Sequence, residues 1–286
     1  MKIDCERIAN AMLEEAKEGI ALLKKQGITP TLGIIRVGND PASETYVRNK
    51  VKTCSGLGIR CITFHLPEDI TQAELEMHID LMQDFHSYRG VEFSTDGIIL
   101  QLPLPAHLDA EEAIGQIPAE KDVDGLNPLS STIPCTPLGI INILDWEGIE
   151  LEGKHAVIVG RSNLVGKPLA KLLTERNCTV TVCHSKTEDL YRHTNDADIL
   201  ISAVGKPELI EAHMVKSDAV VIDVGISRVD GKLVGDVEPW TLQYHPEARI
   251  TPVPGGVGKT TVAALVCNLV QLALKRHGLD KAGADA

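Results

Sequence analysis

Four features are missing from this chain, and each absence narrows its chemistry. There is no basic excess: 28 Lys and Arg stand against 40 Asp and Glu, a formal charge of −12. With no Lys/Arg-rich run to track a phosphate backbone, nucleic acid is not an expected partner. There is no CxxC pair. The seven cysteines, Cys5, Cys54, Cys61, Cys135, Cys178, Cys183 and Cys267, are odd in number and scattered. That argues against a disulfide framework and against a zinc site, so no metal is expected and reduced thiols point to the cytoplasm. There is no basic start followed by an apolar block, and no run approaching a membrane span is read, so a soluble, unsecreted protein without membrane contact is expected. Finally, no GxGxxG loop marks a dinucleotide site.

What is present reads as two α/β halves. A length of 286 residues allows a sizeable core and points to two domains. Ile8, Met12, Ala16, Ile20 and Leu23 recur at helical spacing, so residues 4–26 form an amphipathic helix that Gly27 stops. TLGIIRV (31–37) follows as a buried strand. Asp40-Pro41 caps and opens a helix to about Gly56, because a first-turn N–H has no partner to lose. RCITFHL (60–66) is the next strand. Thr71 and Glu74 form a capping box, with Ile70 and Leu75 as its hydrophobic staple, and open a third helix. DGIILQLPLP (96–105) reads as a strand leaving the core. This alternation implies parallel pairing in an α/β layer architecture.

A second series follows Gly153: strand 155–160, a helix to about Asn177, and strands 178–183, 197–204 and 219–225, a doubly wound pattern. Asp230-Gly231 signals a two-residue hairpin. A short strand at 249–254 and an apolar helix at 259–277 complete the reading, with a frayed polar tail at 280–286. The domains are expected at 1–120 and 121–258, with helix 259–277 packing back on the first.

The loop GRSNLVGKP after strand 155–160 places Gly160 and Gly166 at a tight strand-to-helix turn, whose free N–H groups suit a phosphate. It is equally readable as a plain tight turn. The strand at 178–183 ends in Cys183-His184-Ser185, with no acid for a ribose hydroxyl and with Arg161 and Lys186 nearby. NADP therefore fits better than NAD, unless both cations are merely solvated. In SETYVRNK, Tyr46 and Lys50 share one helical face, as a surface pair would also do. Gln101 stands at the carboxyl end of a strand, where open α/β sheets bind ligands, and Asp122 and Asp124 sit at the expected domain junction. Such amides and carboxylates need partners, which a ligand rich in N–H groups or a hydrogen-bonded linker would provide.

YxxxK at 46–50, QLPLP at 101–105, KDVDG at 121–125, PCTP at 134–137, GRSxxVGxP at 160–168, CHS at 183–185 and TPVPGGVG at 251–258 occur together and in order. In this the chain resembles the bifunctional methylenetetrahydrofolate dehydrogenase/cyclohydrolases. The resemblance implies an N-terminal α/β domain and a Rossmann-like NADP-binding domain flanking a cleft, in a homodimer. It implies oxidation of 5,10-methylenetetrahydrofolate to the methenyl compound with NADP, then hydrolysis to 10-formyltetrahydrofolate. By position, Lys50 matches the catalytic lysine, Tyr46 its neighbour on the pterin side, Gln101 its partner and Asp124 the pterin anchor. Gly160, Arg161, Ser162, Ser185 and Ile226 match cofactor contacts, and Pro254, Gly255 and Gly256 match substrate contacts. A lysine in water has a pKa near 10.4, so a proton-carrying Lys50 is expected to be desolvated or close to positive charge.

PGGVGKTT (254–261) also looks like an ATPase phosphate loop. The strict motif fails at Val253, where a glycine is needed, and Pro254 occupies the place of the signature lysine of a known variant. No strand is read after Thr261 to supply a magnesium-binding acid. The better reading is a glycine turn packed on ligand, followed by a helix opening at Lys259-Thr260, where the family commonly has Pro-Met.

Overall fold

The computed structural model describes residues 1–83, 86–88 and 91–280. Residues 281–286 of the expected frayed tail lie outside the described residues. Contacts divide the chain into two units: Met12–Cys135 with the chain from Leu265 onward, and Met1–Ala11 with Thr136–Ala264. They are called here the amino-terminal and central units.

The amino-terminal unit takes most of helix α1 (Cys5–Lys25), then β1 (Thr31–Val37), α2 (Pro41–Gly56), β2 (Arg60–Leu66), α3 (Gln72–Gln83), the short antiparallel pair β3 (His86–Tyr88) and β4 (Val91–Phe93), β5 (Gly97–Leu100) and α4 (Ala110–Gly115). Its main sheet is parallel in the order β2-β1-β5. Every residue of the middle strand β1 is buried, as its continuous apolar run requires. The local signals act as their chemistry dictates. The Asp40 carboxylate accepts from the Ser43 amide at 2.7 Å at the head of α2. Thr71 N–H donates to the Glu74 carboxylate at 2.9 Å and Glu74 N–H to the Thr71 hydroxyl at 3.3 Å. Ile70 and Leu75 are both buried in one core cluster with Ile79, Met82 and Ile98.

Two details differ from the sequence reading. β5 ends at Leu100, not near Pro105, because a proline has no N–H for a ladder. Residues 121–123 are no linker: Ile98 N–H donates to Lys121 O at 2.7 Å and Val123 N–H to Ile98 O at 3.4 Å, so KDV runs alongside β5. The contact division falls between Cys135 and Thr136.

The central unit holds α5 (Cys135–Trp146), β6 (His155–Val159), α6 (Gly166–Glu175), β7 (Thr179–Cys183), α7 (Tyr191–Thr194), β8 (Ile199–Ser202), β9 (Val220–Asp223), the hairpin β10 (Ser227–Val229) and β11 (Lys232–Val234), α8 (Thr241–Tyr244), β12 (Arg249–Ile250) and the first turns of α9 (Val257–Arg276). Five parallel strands lie in the order β12-β9-β8-β6-β7. Counted by appearance this is 2-1-3-4-5 read from the β7 edge, a doubly wound sheet whose strand order reverses between β6 and β8. Asp230 and Gly231 have φ of 48° and 77°, the two positive values a tight hairpin turn needs. The start of the chain joins this unit because Lys2 bridges Ile250 in parallel and Ile3 N–H donates to Ile250 O at 2.9 Å.

One expectation is corrected. α9 is long and apolar enough, by length and composition, to cross a membrane, yet more than half of its apolar stretch is buried inside the fold. Its apolar residues serve the core, with Leu265, Val266, Leu269 and Val270 all buried.

Candidate active site

In the amino-terminal unit, three residues distant in sequence meet. Lys50, three turns into α2, donates from Nζ to Gln101 Oε1 at 3.2 Å. The same Nζ lies 3.8 Å from Asp124 Oδ2. Gln101 follows the end of β5 and stays in register there, because its own N–H donates to Ile35 O at 2.8 Å. Its amide orientation is fixed from the other side, where Nε2 donates to Leu102 O at 2.7 Å. The Lys50 side chain is only 11% exposed and that of Asp124 20%. Lys50 is thus largely desolvated, as expected. Its charged neighbour within the protein is the Asp124 carboxylate. Tyr46 stands one turn earlier on the same face of α2, 42% exposed.

The loop that presents Asp124 is held from below. Asp122, buried, accepts from the Gly125 amide at 3.0 Å and from the Asn127 amide at 2.8 Å. Burial pushes its carboxyl up to about 6, against the pull of the Asn127 amide. Its oxygens are committed to backbone, so it shapes the loop and leaves Asp124 to face Lys50. Asn268 of α9 donates to both Val123 O (3.0 Å) and Ile133 O (2.9 Å), and Cys135 Sγ donates to Val123 O at 3.3 Å. Burial and the Asp124 charge keep that thiol protonated, well above its ordinary pKa. Asn268 carried no signal in the sequence beyond lying in an apolar helix, and Cys135 entered only among the seven cysteines and as part of PCTP at 134–137.

In the central unit, all five main strands are parallel, so the loops after them share one edge. Gly160, Arg161 and Ser162 follow β6, Ser185 follows β7, Ile226 follows β9, and Pro254, Gly255 and Gly256 form the turn after β12. The β6–α6 loop is a tight cradle. Gly160 has φ of 124°, and a Cβ there would stand 2.6 Å from Ala203 O. A Cβ on Gly166 would run into the Gly160 carbonyl. Only glycine permits this approach. Ser162 Oγ accepts from the Val165 amide at 3.1 Å and Ser162 O from the Lys167 amide at 3.1 Å, so the loop closes onto the first turn of α6. Arg161, Ser185 and Lys186 are exposed at this edge, two cations and a hydroxyl. The cradle fits a dinucleotide pyrophosphate and the cations a further phosphate.

The PGGVGKTT stretch does not build an ATPase loop. β12, the strand before it, is two residues long and lies at the sheet edge. α9 begins at Val257, two residues earlier than expected, and the Thr260 and Thr261 hydroxyls each donate to Val257 O at 3.0 Å. Lys259 Nζ lies 3.2 Å from Glu6. Among the described residues no group of His, Cys, Asp or Glu could hold a metal ion.

Comparison with known proteins places this geometry. Residues 3–124 match the family model for the tetrahydrofolate dehydrogenase/cyclohydrolase catalytic domain, and residues 134–277 that for its NAD(P)-binding domain. The bifunctional protein FolD of Agathobacter rectalis is 46% identical over 284 residues, covering 96% of this chain and 99% of that protein. The crystal structure of the bifunctional FolD methylenetetrahydrofolate dehydrogenase/cyclohydrolase from Campylobacter jejuni superposes with a TM-score of 0.89 at 42% identity, covering 96% of this chain and 99% of that one. The Trypanosoma brucei enzyme, solved with NADP and an inhibitor, gives a TM-score of 0.88 at 35% identity, covering 98% and 99%. With both halves of the chain matched and the Lys50, Gln101 and Asp124 side chains converging in the first, the chain belongs to the tetrahydrofolate dehydrogenase/cyclohydrolase family.

Proposed function

We propose that this chain oxidises 5,10-methylenetetrahydrofolate to the 5,10-methenyl compound with NADP and hydrolyses that product to 10-formyltetrahydrofolate. The observation that carries the reading is the convergence of Lys50, Gln101 and Asp124, an amine, an amide and a carboxylate in one largely desolvated place. NADP, when bound, supplies the hydride acceptor for the first step. Gly160 and Gly166 let the chain approach its pyrophosphate, and Arg161 and Lys186 suit its 2′-phosphate. Ser185 and Ile226 complete the assigned contacts.

Hydride removal needs no general base, only positioning and exclusion of water. Hydration is different, because the water that adds to the methenyl carbon gives up both protons, one to the ring nitrogen as its bond to that carbon opens and one to solution as the cationic charge is lost. Lys50 is assigned to that proton movement, with Gln101 orienting its amine. Asp124 is assigned to the pterin N–H groups and Tyr46 to packing beside the pterin. A homodimer in the cytoplasm is part of the same reading, and seven free thiols support the compartment. The test is to mix the protein with methylenetetrahydrofolate and NADP and to follow NADPH and the methenyl chromophore, with ATP hydrolysis assayed alongside. NADPH formation with transient methenyl absorbance is expected, without ATP hydrolysis above background. ATP turnover without NADPH would refute the reading.

A further inference from the structure

Two buried acids of the central unit take no part in the chemistry above. Asp236, fully buried, gathers three donors from the end of β8 and the loop after it. Ser202 Oγ donates at 2.9 Å, the Val204 amide at 2.9 Å and the Lys206 amide at 2.7 Å. Its backbone N–H is in turn held by Asp223 Oδ1 at 2.9 Å, while Asp223 Oδ2 accepts from the Val237 amide at 3.0 Å. Asp223 N–H donates to the Thr251 hydroxyl at 2.8 Å, at the head of the TPVPGG turn. Gly225, beside Ile226, has no room for a Cβ because the Asp236 carboxylate packs against it.

The pair thus ties together the loop after β8, the loop after β9 and the start of the turn after β12, all at the carboxyl edge of the sheet. This is the edge where a doubly wound sheet holds its ligand, and Ala203 of the tied loop is the residue packed on the Gly160 cradle. Keeping two acids here is costly. Burial, with Asp236 adding repulsion, pushes the Asp223 carboxyl up to about 6. Strongly perturbed buried acids of this kind cluster at functional sites.

We propose that Asp236 is a positioning residue for NADP: held by Asp223, its carboxylate fixes residues 203–206 and Gly225-Ile226 in the conformation the cofactor needs. This rests on the dehydrogenase reading of the same sheet edge. The carboxylate is hard to replace in kind, because two of its partners are backbone amides that can only donate. In Asp236→Asn one acceptor oxygen becomes an NH2, so either the Lys206 amide or the Val204 amide is left facing a donor, while the Ser202 hydroxyl can turn to accept.

The test uses the full-length chain. NADP affinity is measured by calorimetry, and KM values for NADP and folate and the hydrolysis of methenyltetrahydrofolate without NADP are measured beside it. For Asp236→Asn the NADP Kd is expected to rise about tenfold or more, with KM for NADP following. KM for the folate and the hydrolysis rate are expected to change at least about fivefold less. An NADP Kd within about twofold of the parent, or equal losses in both activities, would overturn the inference. If Asp236→Asn does not fold by circular dichroism, Ser202→Ala decides, since it removes one donor and leaves both amides. A rise of about two- to fivefold in NADP Kd supports the proposal, and no rise overturns it. A parent protein that binds NADP but turns over no folate would refute the enzyme reading and leave this inference standing on the Kd values. A parent that binds no NADP would overturn both.

Discussion

Asp122 and Asp124 are two residues apart and do opposite work. Asp122 spends both oxygens on the amides of Gly125 and Asn127, while Asp124 keeps a carboxylate 3.8 Å from the Lys50 amine. Asp124→Ala is therefore expected to raise KM for the folate about tenfold or more in both reactions, the usual effect of losing a charged hydrogen-bond partner. Steady-state kinetics of each half-reaction checks this, and an unchanged KM would refute the anchor role. Asp122 makes a pH prediction. Its folded-state pKa of about 6 lies above the ordinary carboxyl value of 3.8, so the folded protein binds the extra proton between those values. Stability contributed by this group is then fully present below about 4 and is lost as pH rises toward 6. Urea midpoints of the parent should fall relative to those of Asp122→Asn across that window and run parallel above it. Parallel curves throughout would contradict the assignment. At this scale the sequence was only partly legible. It offered Lys50, Gln101 and Asp124 as candidates, but Lys50 and Gln101 stand 51 positions apart and no periodicity reports that they meet. Asp223 and Asp236, linked across 13 positions, escaped notice because buried acids inside apolar and glycine-rich stretches follow no local pattern.

Helix α2 carries the proposed lysine, and its entry is set by one side chain. The Asp40 carboxylate caps the Ser43 amide, and that hydrogen bond draws its pKa below the usual value. Asp40→Ala is expected to lower the thermal midpoint by roughly 2–4 °C, with KM for the folate changed by less than about twofold. A scanning melt and one KM measurement decide it. Signals of this local kind were the readable ones. β1 and β2 match their predicted spans to the residue, and the capping box at Thr71 and Glu74 forms as its spacing dictates. What local reasoning could not see was the boundary set by neighbours. β5 and β12 stop short where proline or the lack of a partner ends the ladder, and residues 121–123 gain extended pairing only because β5 lies beside them. Helix α5 went unread, since CTPLGIINILDW has buried residues at 140, 141, 143 and 144 and little polar contrast to reveal a helical face.

Across the whole molecule, the chain begins in the central unit and ends in the amino-terminal one. The first residues bridge β12 of the central unit, and residues from Leu265 onward belong with the amino-terminal unit, so α1 and α9 each pass from one unit to the other. At the far end of α9, His277 and Arg276 meet the buried Asp96 carboxylate, which also accepts from the Thr31 amide at 2.9 Å. On the proposed reading each unit carries one chemical requirement: the cradle at Gly160 for the hydride acceptor, the amine of Lys50 for the hydration. The central claim is that these requirements are separable, and the most direct measurement is a progress curve of Lys50→Gln beside the parent, with methylenetetrahydrofolate and NADP. NADPH should still form, while methenyl absorbance accumulates because its hydrolysis slows about a hundredfold or more, the scale of a lost proton-transfer group. Equal loss of both signals, or methenyl clearance at the parental rate, would contradict the account.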